Sequence, residues 1–574
     1  MVGARGKAPG RIVGTRPSAN RRHELGKGSN KTVMDSADPL ATMILRKHAR
    51  AYEALVAYVL RLEARGDDEV TLRWLGLAAK IAWTSHPGRF TDERLEAIAL
   101  RAGQRLRPVD AQSAARVGEA IAKVGGQRRV LHVATTIYEV GGHTRLIGNW
   151  ITQDEGAEHS LVLIDQGQHR IRQDLADRIA ASGGTLTLLP DDRSILAKAR
   201  RLREAARAGY DCVILHHHPN DVVPLVALAT ADCPPVAVMN HADHVFWLGV
   251  TVADAVIDFR AFGARISRTR RGARQGLMFP LPLDPRRPAL DRPEARARLG
   301  IPADEVMLLT IGSSYKYKPT RKHDFFRTLR LVLAANPAAR LYVIGVGPED
   351  LRAWGSPGHD RVKPLGLVSD PSVHEAAADL YLEGFPLNSY TALLETAAHG
   401  VCPVLMYAPT PQLDLADDAA LTGLVASTSD EPAYVALVSA LIADPAGRTS
   451  TGQAVAGRIA AIHGGDIGHA YLRPIYERLA AMTHRPALPP TQTNAEGEED
   501  LDLAAFNSSR GGRALLARGG VDALDGLTSI DTLRLLAMSV RIGDTRPMLS
   551  DIRAWLGVFR RKLVPIRRGL ANQR

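Results

Sequence analysis

The chain has 574 residues, of which 45% are hydrophobic and 23% charged, a balance typical of globular proteins. Because a chain of this length is too long for one core, we predict two to four domains. Its three cysteines lie far apart without a metal-type pair, which argues against a disulfide framework and favours a reducing compartment. The formal net charge of +12 is concentrated at the ends: residues 1–33 carry +7 and residues 560–574 carry +6, which leaves −1 for residues 34–559. Because the body is nearly neutral, we expect no nucleic-acid partner.

The two basic ends suit peripheral contact with an anionic membrane surface, and solvated tails are the alternative. No apolar run reaches the length of about 18 residues that crosses a bilayer, and the basic N-terminus lacks the apolar region of a secretory signal. We therefore expect a cytoplasmic protein that contacts the inner face of the membrane. Residues 1–33 are predicted to form a disordered basic tail.

Residues 34–125 are predicted to form a helical domain. Apolar residues recur every three or four positions, for example at Leu55, Val59 and Leu62. Breaks at Gly66 and Gly88 divide this region into several helices.

The pattern changes at Arg129, where a short apolar run typical of a buried parallel strand begins. Strand-like and helix-like segments then alternate across residues 128–285, which predicts a Rossmann-like α/β domain. The predicted strands are residues 160–164, 186–189, 212–215 and 236–239. The predicted helices are residues 144–152, 171–182 and 195–208.

A Pro- and Arg-rich linker at residues 280–288 precedes a second alternating block, residues 300–482. Its predicted strands are residues 306–311, 340–344, 379–382 and 402–405. Its predicted helices are residues 324–335, 389–399 and 434–442. Residues 486–499 are predicted to be a linker, and residues 500–574 a helical extension with a basic end.

The first candidate site is Gly141-Gly142-His143, soon after the first strand of the first block. Paired glycines allow a ligand to approach the backbone closely. The imidazole of His143 could act as a general base toward an acceptor hydroxyl or amide, or bind a donor phosphate. The alternative is a tight turn with His143 as a helix cap.

Two further candidates follow strands of the same block. Three consecutive histidines end at His218 and suggest zinc, but adjacent side chains on an extended chain point to opposite faces, so we predict no metal site. We expect His218 to line the cleft, with a plain loop as the alternative. His241, Asp243 and His244 combine polar groups with nearby aromatic residues, as in sugar sites, although the loop could equally pack its aromatic residue into the core.

The second block offers two more candidates, each after a strand. Lys316 and Lys318 lie in a loop where a lysine could neutralise a diphosphate leaving group, and a solvated surface loop is the alternative. In the other, Glu383 ends a strand and a hydroxyl-rich loop opens a helix. Its hydroxyls, free amides and a carboxylate one turn in could hold a diphosphate and a ribose, whereas a plain helix cap is the alternative. The donor-binding candidates in this loop are Asn388, Ser389, Thr391 and Glu395.

This last segment resembles the donor-binding segment of GT-B glycosyltransferases. In the large retaining family two glutamates bracket seven residues, whereas Glu383 and Glu395 bracket eleven. The spacing is similar instead to the O-linked N-acetylglucosamine transferases and related bacterial protein glycosyltransferases. The resemblance implies a diphosphate contact for Thr391, a ribose contact for Glu395, a donor-phosphate role for Lys316 rather than Lys318, and a cleft position for His143.

The resemblance covers residues 130–480 and implies an α/β fold of two Rossmann-like domains facing across a cleft, the GT-B fold, here with an N-terminal helical segment and a C-terminal helical extension. The tetratricopeptide arm of the animal and plant enzymes is missing, because no 34-residue repeat is found in the sequence. We predict a metal-independent glycosyltransferase of hexosyl or N-acetylhexosaminyl type. The similarity favours inversion at the anomeric carbon.

The predicted substrates are a nucleotide-sugar donor, with no cofactor, and an acceptor. In order of preference the acceptor is a cell-envelope glycan or lipid-linked sugar, a protein side chain, or a small molecule. Two alternatives remain: a nucleotide-sugar epimerase of the same fold, and a non-catalytic nucleotide-sugar-binding scaffold subunit.

Overall fold

The computed structural model describes residues 39–107, 127–139, 142–192, 194–284, 290–320, 322–353, 360–464, 466–491 and 534–535. The chain divides into two compact units, Met1–Ala37 and Asp38–Arg574, and every described residue belongs to the second. The predicted basic tail and nearly all of the predicted C-terminal extension lie outside the described residues.

Three helices precede the first sheet: α1 Pro39–Glu63, α2 Asp68–Thr84 and α3 Glu93–Arg105. The carboxylates of Asp67 and Asp92 cap α2 and α3, accepting the backbone N–H groups of Val70 and Arg94 at 3.0 and 2.9 Å. The break before α2 falls at Gly66, whose φ of 80° favours glycine. Buried residues of all three helices share one apolar cluster with strands of the first sheet, so this helical segment packs on that sheet.

The first lobe is built on a seven-stranded sheet. Its strands are β1 Arg128–Ala134, β2 Ala157–Leu163, β3 Leu186–Leu188, β4 Cys212–His216, β5 Val236–Met239, β6 Ala255–Asp258 and β7 Gly276–Met278. They pair in parallel in the order β3-β2-β1-β4-β5-β6-β7. The order reverses between β1 and β4, and ligands of such sheets bind at the carboxyl ends of the strands at this point.

Helices connect these strands, as right-handed parallel crossovers require. They are α4 Gly142–Gln153, α5 Gln173–Ala181, α6 Ile195–Ala206, α7 Val223–Ala227 and α8 Ala261–Thr269. The helix α4 follows β1 and begins at the paired glycines, which places its N-terminus at the carboxyl edge of the sheet.

The second lobe repeats the plan on a five-stranded sheet. Its strands are β8 Val306–Ile311, β9 Ala339–Ile344, β10 Val362–Gly366, β11 Leu380–Leu382 and β12 Cys402–Val404. All pairs are parallel, in the order β10-β9-β8-β11-β12. The switch point lies between β8 and β11, the strands that precede the two donor-binding candidates.

The helices of this lobe are α9 Arg292–Leu299, α10 Phe325–Ala335, α11 Pro348–Ala353, α12 Ser372–Ala377, α13 Tyr390–Ala397, α14 Glu431–Ala443 and α15 Pro445–Ile462. Short single turns occur at Ser314–Tyr317, Leu415–Asp417 and Gly468–Leu472, and the last turn leads into α16, Arg473–Ala480. The helix α13 follows β11 directly, so its N-terminus faces the carboxyl edge of the second sheet.

One buried apolar cluster contains residues of both lobes, including Trp150 and Phe279 from the first and Leu309 and Leu393 from the second. Such a shared core holds the two sheets in a defined arrangement. No helix among the described ranges combines the length and apolarity needed to cross a membrane.

After the second lobe the chain returns to the first. The phenol of Tyr476 on α16 accepts a hydrogen bond from Trp150 Nε1 at 2.8 Å. Further along, His484 Nδ1 lies 2.7 Å from Asp254 Oδ2, and the N–H of Ala487 donates to the carbonyl oxygen of Thr251 at 2.9 Å. Residues 473–491 therefore brace the first lobe.

The predicted fold of two Rossmann-like α/β domains is confirmed by the two parallel sheets. The sequence reading missed three strands: β6, β7 and β10. Residues 285–289 of the predicted linker lie outside the described ranges, whereas Leu281 and Leu283 before them are buried.

Candidate functional site

Lys316 lies on the single turn Ser314–Tyr317 that follows β8. Its Nζ donates hydrogen bonds to the carbonyl oxygen of Asn388 at 2.9 Å and to Ser389 Oγ at 3.1 Å. Burial lowers the pKa of this ammonium group. A Cβ on Gly312 would lie 2.6 Å from Ser389 Oγ, so a glycine is needed for the two loops to approach this closely. Lys316 thus joins the two donor-binding candidates.

Ser389 occupies the N-cap position of α13, but its hydroxyl does not cap the helix. It accepts from Lys316 instead, and its backbone N–H donates to Glu383 Oε1 at 2.5 Å. The first amides of α13 therefore receive no cap from Ser389, and the helix dipole adds partial positive charge at this end. Ammonium, hydroxyl and helix N-terminus together suit an anion such as a phosphate.

Glu383 lies beneath this loop, where its side chain is buried. Its Oε1 accepts the N–H groups of Gly384 and Ser389, and its Oε2 is a buried atom without a hydrogen-bond partner among the described residues. Burial raises the pKa of this carboxyl group to about 7, although the Ser389 amide and Lys316 oppose the shift. The predicted cleft-lining acid is therefore a support of the loop.

The remaining candidates of the second lobe lie in three different environments. Asn388 Nδ2 donates to the carbonyl oxygen of Leu413 at 2.9 Å, which ties it to a neighbouring loop. Lys318 is exposed beyond the turn. Thr391 faces the opposite lobe, because a Cβ on Gly142 would lie 2.9 Å from Thr391 Oγ1. The donor loop and the start of α4 are thus neighbours across the cleft.

His143 is the second residue of α4, and Gly141 before it lies outside the described residues. The backbone of His216 lies beside the His143 ring, while Nε2 is buried and has no partner among the described residues. Burial, aided by His218, lowers the pKa of this imidazole to about 3. The ring is therefore neutral at physiological pH, and its Nε2 is bonded to no described residue, so this nitrogen could accept a hydrogen bond from a ligand.

Other rings gather around His143. The ring centroid of His241 lies 4.1 Å from that of His143, and the centroid of His218 lies 6.4 Å away. Tyr138 stacks on His218 with centroids 6.2 Å apart and an interplanar angle of 9°. The structure therefore brings together His143, His218 and His241, which the sequence predicted separately.

The three consecutive histidines make different contacts. His217 Nε2 lies 2.6 Å from the carbonyl oxygen of Leu248, whereas the rings of His216 and His218 lie beside His143. The sequence reading missed a different group: nitrogens of His143, His216 and His241, from three strand ends, lie within 4.8 Å of one another. Three imidazoles at this spacing could bind a divalent cation or hydrogen-bond to each other.

Asp243 and His244 take part in a bridge between the lobes. The Asp243 carboxylate accepts from Arg260 at 2.9 Å and lies 3.1 Å from His244 Nδ1. Although burial opposes it, the Arg260 guanidinium holds the pKa of this carboxyl group well below its usual range. Arg260 also donates to Asp417 of the second lobe at 2.7 Å. Asp243 thus anchors an arginine that spans the cleft.

A second bridge joins Arg145 on α4 to Glu395 on α13, residues 250 positions apart. Sequence reasoning marked Glu395 for a ribose and missed its partner Arg145, as well as Arg260 of the first bridge. The sequence signal for Arg145 was its place one turn into a helix that follows a glycine pair. The pairing itself depends on how the lobes meet.

No protein-family model and no curated protein matches the chain. Among solved structures, a mutant O-GlcNAc transferase from Thermobaculum terrenum is 16% identical, covering 77% of this chain and 84% of its own, with a TM-score of 0.45. HepE from Anabaena, solved with UDP and glucose, is 14% identical over 62% of this chain and 100% of its own, with a TM-score of 0.47. A Listeria monocytogenes protein described as a UDP-N-acetylglucosamine 2-epimerase is 12% identical over 63% and 99%, with a TM-score of 0.40. Because these TM-scores lie below 0.5, the fold assignment rests on the two sheets themselves.

Proposed function

We propose that this chain transfers a sugar from a nucleotide-sugar donor to an acceptor, with the donor on the second lobe and the acceptor on the first. The proposal is carried by the closeness of two complementary groups across the cleft. One is the cationic pocket formed by Lys316 and the N-terminus of α13, and the other is the unpartnered Nε2 of His143. Thr391 belongs to the first group and lies against Gly142, the neighbour of His143.

The donor diphosphate is proposed to bind where the second lobe concentrates positive charge. Lys316, the hydroxyls of Ser389 and Thr391 and the first amides of α13 can all donate to phosphate oxygens. Glu395 is proposed to hold the ribose hydroxyls, as the resemblance implies, and Arg145 orients this carboxylate from the other lobe. The cation and the helix dipole then stabilise charge on the leaving group without a metal ion.

The reaction is proposed to begin when the acceptor hydroxyl approaches the anomeric carbon of the bound donor. As the new carbon–oxygen bond forms, the hydroxyl proton passes to His143 Nε2. The bond from the anomeric carbon to the diphosphate oxygen breaks, and its electron pair leaves with the diphosphate beside Lys316. The products are the glycosylated acceptor, the nucleoside diphosphate and one proton.

The acceptor class stays a prediction. We retain the order of a cell-envelope glycan or lipid-linked sugar, a protein side chain and a small molecule, and both hexosyl and N-acetylhexosaminyl transfer. The basic ends of the sequence support the first of these, because they suit an enzyme working beside an anionic membrane.

The test separates donor binding from turnover. A thermal-shift panel of nucleoside diphosphates and nucleotide-sugars identifies the donor, since ligands of the native state raise apparent stability. With that donor, His143→Ala is expected to keep binding but to lower sugar transfer or donor hydrolysis by about 10²–10⁴-fold. His217→Gln is the matched control, because His217 contacts the Leu248 carbonyl and glutamine can keep that contact.

Three outcomes would contradict the proposal or part of it. Conversion of the donor to an epimeric nucleotide-sugar without any acceptor would identify an epimerase. Binding without turnover in both the wild-type protein and His143→Ala would identify a scaffold subunit. Equal turnover in His143→Ala and wild type would remove His143 as the base.

A further inference from the structure

Four imidazoles form a continuous hydrogen-bonded row through the first lobe, here named the histidine row: His159, His132, His216 and His241. His159 Nδ1 lies 3.0 Å from His132 Nε2, and His132 Nδ1 lies 3.0 Å from His216 Nε2. His216 Nδ1 lies 2.9 Å from His241 Nε2. Successive ring centroids are 5.2 Å apart at every step. The row ends beside His143 in the cleft.

The register of the sheet explains this line. His159 on β2 pairs with the β1 residue that lies two positions before His132. His132 in turn pairs with the β4 residue that lies two positions before His216. The pairing of β4 with β5 continues the same step to His241. Because alternate residues of a strand share a face, a step of two keeps every ring on one side of the sheet. The row therefore climbs diagonally to the carboxyl edge, where ligands bind.

The inner rings are neutral imidazoles. Burial lowers the pKa of His132, His216 and His241 well below the ordinary value. A neutral imidazole has one N–H donor and one bare acceptor nitrogen. Since every link joins an Nε2 to an Nδ1, a row of neutral rings carries its proton on the same nitrogen in every ring. Such a row has two arrangements, with all protons on Nε2 or all on Nδ1.

Asp154 stands at the far end of the row. Its Oδ2 lies 3.3 Å from His159 Nε2, at ion-pair distance but without hydrogen-bond alignment, and it accepts from the phenol of Tyr476 at 2.6 Å. That phenol accepts in turn from Trp150, so its proton is committed to Asp154. A carboxylate favours an N–H and disfavours a lone pair on the nitrogen that faces it. Asp154 thus favours the arrangement with protons on Nε2.

We propose that Asp154 is a positioning residue that acts through the histidine row and makes Nδ1 of His241 a hydrogen-bond acceptor for the substrate in the cleft. Together with Nε2 of His143, the first lobe then presents two bare imidazole nitrogens. Such a pair receives a group that donates hydrogen bonds, such as an acceptor hydroxyl. Only this last role rests on the proposed function; the tautomer of His241 does not.

The geometry favours a fixed tautomer over two other uses of the row. Carrying a proton along the row would leave every ring in the opposite tautomer, and repeated turnover would require buried rings to flip. A metal ion on His143, His216 and His241 would account for the last link only. The three links have nearly the same length, and two of them involve His132, which lies outside that group.

The experiment reads the tautomer directly. In the full chain labelled with ¹⁵N-histidine, the His241 signals are assigned by comparison with His241→Gln, and the nitrogen shifts report which nitrogen carries the proton. The wild-type protein is expected to show His241 protonated on Nε2. In Asp154→Ala the bias is lost and both tautomers are expected. In Asp154→Asn an amide oxygen can still face His159 Nε2 and disfavour a lone pair there, so the wild-type tautomer is expected to persist.

Activity gives the second readout. Asp154→Ala is expected to lower kcat for transfer by about 10- to 100-fold, the usual effect of losing a group that orients a site residue. The donor KM is expected to stay within about twofold, because the donor contacts lie on the other lobe, and Asp154→Asn is expected to restore most of kcat. A merely structural role would lower thermal stability without moving the tautomer.

Three results would overturn the proposal: His241 protonated on Nδ1 in the wild-type protein, an unchanged tautomer in Asp154→Ala, or stoichiometric zinc that is lost in His241→Gln. None of these depends on finding the donor or the acceptor. Failure of sugar transfer with the expected tautomers would instead contradict the proposed function alone.

Discussion

The two walls of the cleft use opposite means to meet a ligand. The first lobe presents neutral imidazoles whose charged forms are suppressed by burial, with His143 and His241 at their centre. The second lobe presents a buried ammonium, Lys316, beside an uncapped helix N-terminus. One wall therefore offers lone pairs and the other offers positive charge.

This difference indicates a division of labour. A wall with positive charge attracts an anion, whereas a wall of bare nitrogens with suppressed charged forms accepts hydrogen bonds from neutral donors. Group transfer from an anionic leaving group to a neutral hydroxyl needs both. The predictions below test the neutral imidazoles of the first wall, then the positive charge of the second wall, and then the contact between the two.

The largest expected effect concerns acid stability of the first lobe. His132, His143, His216 and His241 have folded pKa values below that of the unfolded chain, so below about pH 6.5 the unfolded state binds more protons. Well below pH 6.5 each such group lowers the free energy of unfolding by about 1.4 kcal/mol per pH unit, or by about 5.5 kcal/mol per pH unit for four. Urea unfolding at pH 6.0, 5.5 and 5.0 is expected to approach this slope.

A variant of the row sharpens the test. His132→Asn is expected to reduce the slope by about 1.4 kcal/mol per pH unit, whatever its stability at neutral pH. His169→Asn, at an exposed position, serves as the control and is expected to leave the slope unchanged. An equal slope in wild type and His132→Asn would contradict the assignment of a neutral buried ring.

The next effect concerns the cationic wall. Lys316→Met removes the charge next to Ser389, and binding of a nucleoside diphosphate is expected to weaken by about 2–3 kcal/mol, because hydrogen bonds to charged groups contribute this much. Calorimetric titration measures the change. Lys318→Met, two residues away and exposed, is the matched control with unchanged affinity. Equal losses in both variants would show that the loop charge acts only at long range.

The smallest effect tests the contact between the walls. Gly142→Ala places a methyl group 2.9 Å from Thr391 Oγ1 and is expected to cost about 1–3 kcal/mol of stability through overpacking. In a Thr391→Ala background the same substitution is expected to cost about 1 kcal/mol less, because the clashing oxygen is gone. Urea unfolding of the four proteins gives the coupling. Additive costs would mean that the two residues do not touch.

Sequence reasoning worked best where a continuous apolar run marked a buried strand. Val236–Met239 and Val306–Ile311 were predicted to the residue. The missed strands are not shorter than predicted ones such as β3, but β7 has one buried residue of three, and β10 carries an exposed position and a proline. Their existence is decided by pairing with neighbours, which a local pattern does not contain.

The candidate site likewise has residues that local sequence patterns predict and residues that they do not. His143 and Thr391 could be predicted to lie near strand ends, since glycine pairs and hydroxyl-rich helix starts are local signals. The Arg145–Glu395 bridge and the histidine row depend on register and on how the lobes meet. A histidine inside an apolar strand, such as His132, was the one local sign of the row, because a buried imidazole needs a partner.

The step of two residues between strands has a consequence for folding. Sliding any of the four segments by one residue would move its imidazole through to the reverse side of the sheet, and two neighbouring rings would lose their partners at once. Mispaired sheets of this lobe are therefore destabilised by buried imidazoles without hydrogen-bond partners as well as by misplaced apolar residues. An insertion of two residues would keep the imidazole on the same side but move it about 6.6 Å along its strand, so the row constrains the exact register as well as the face.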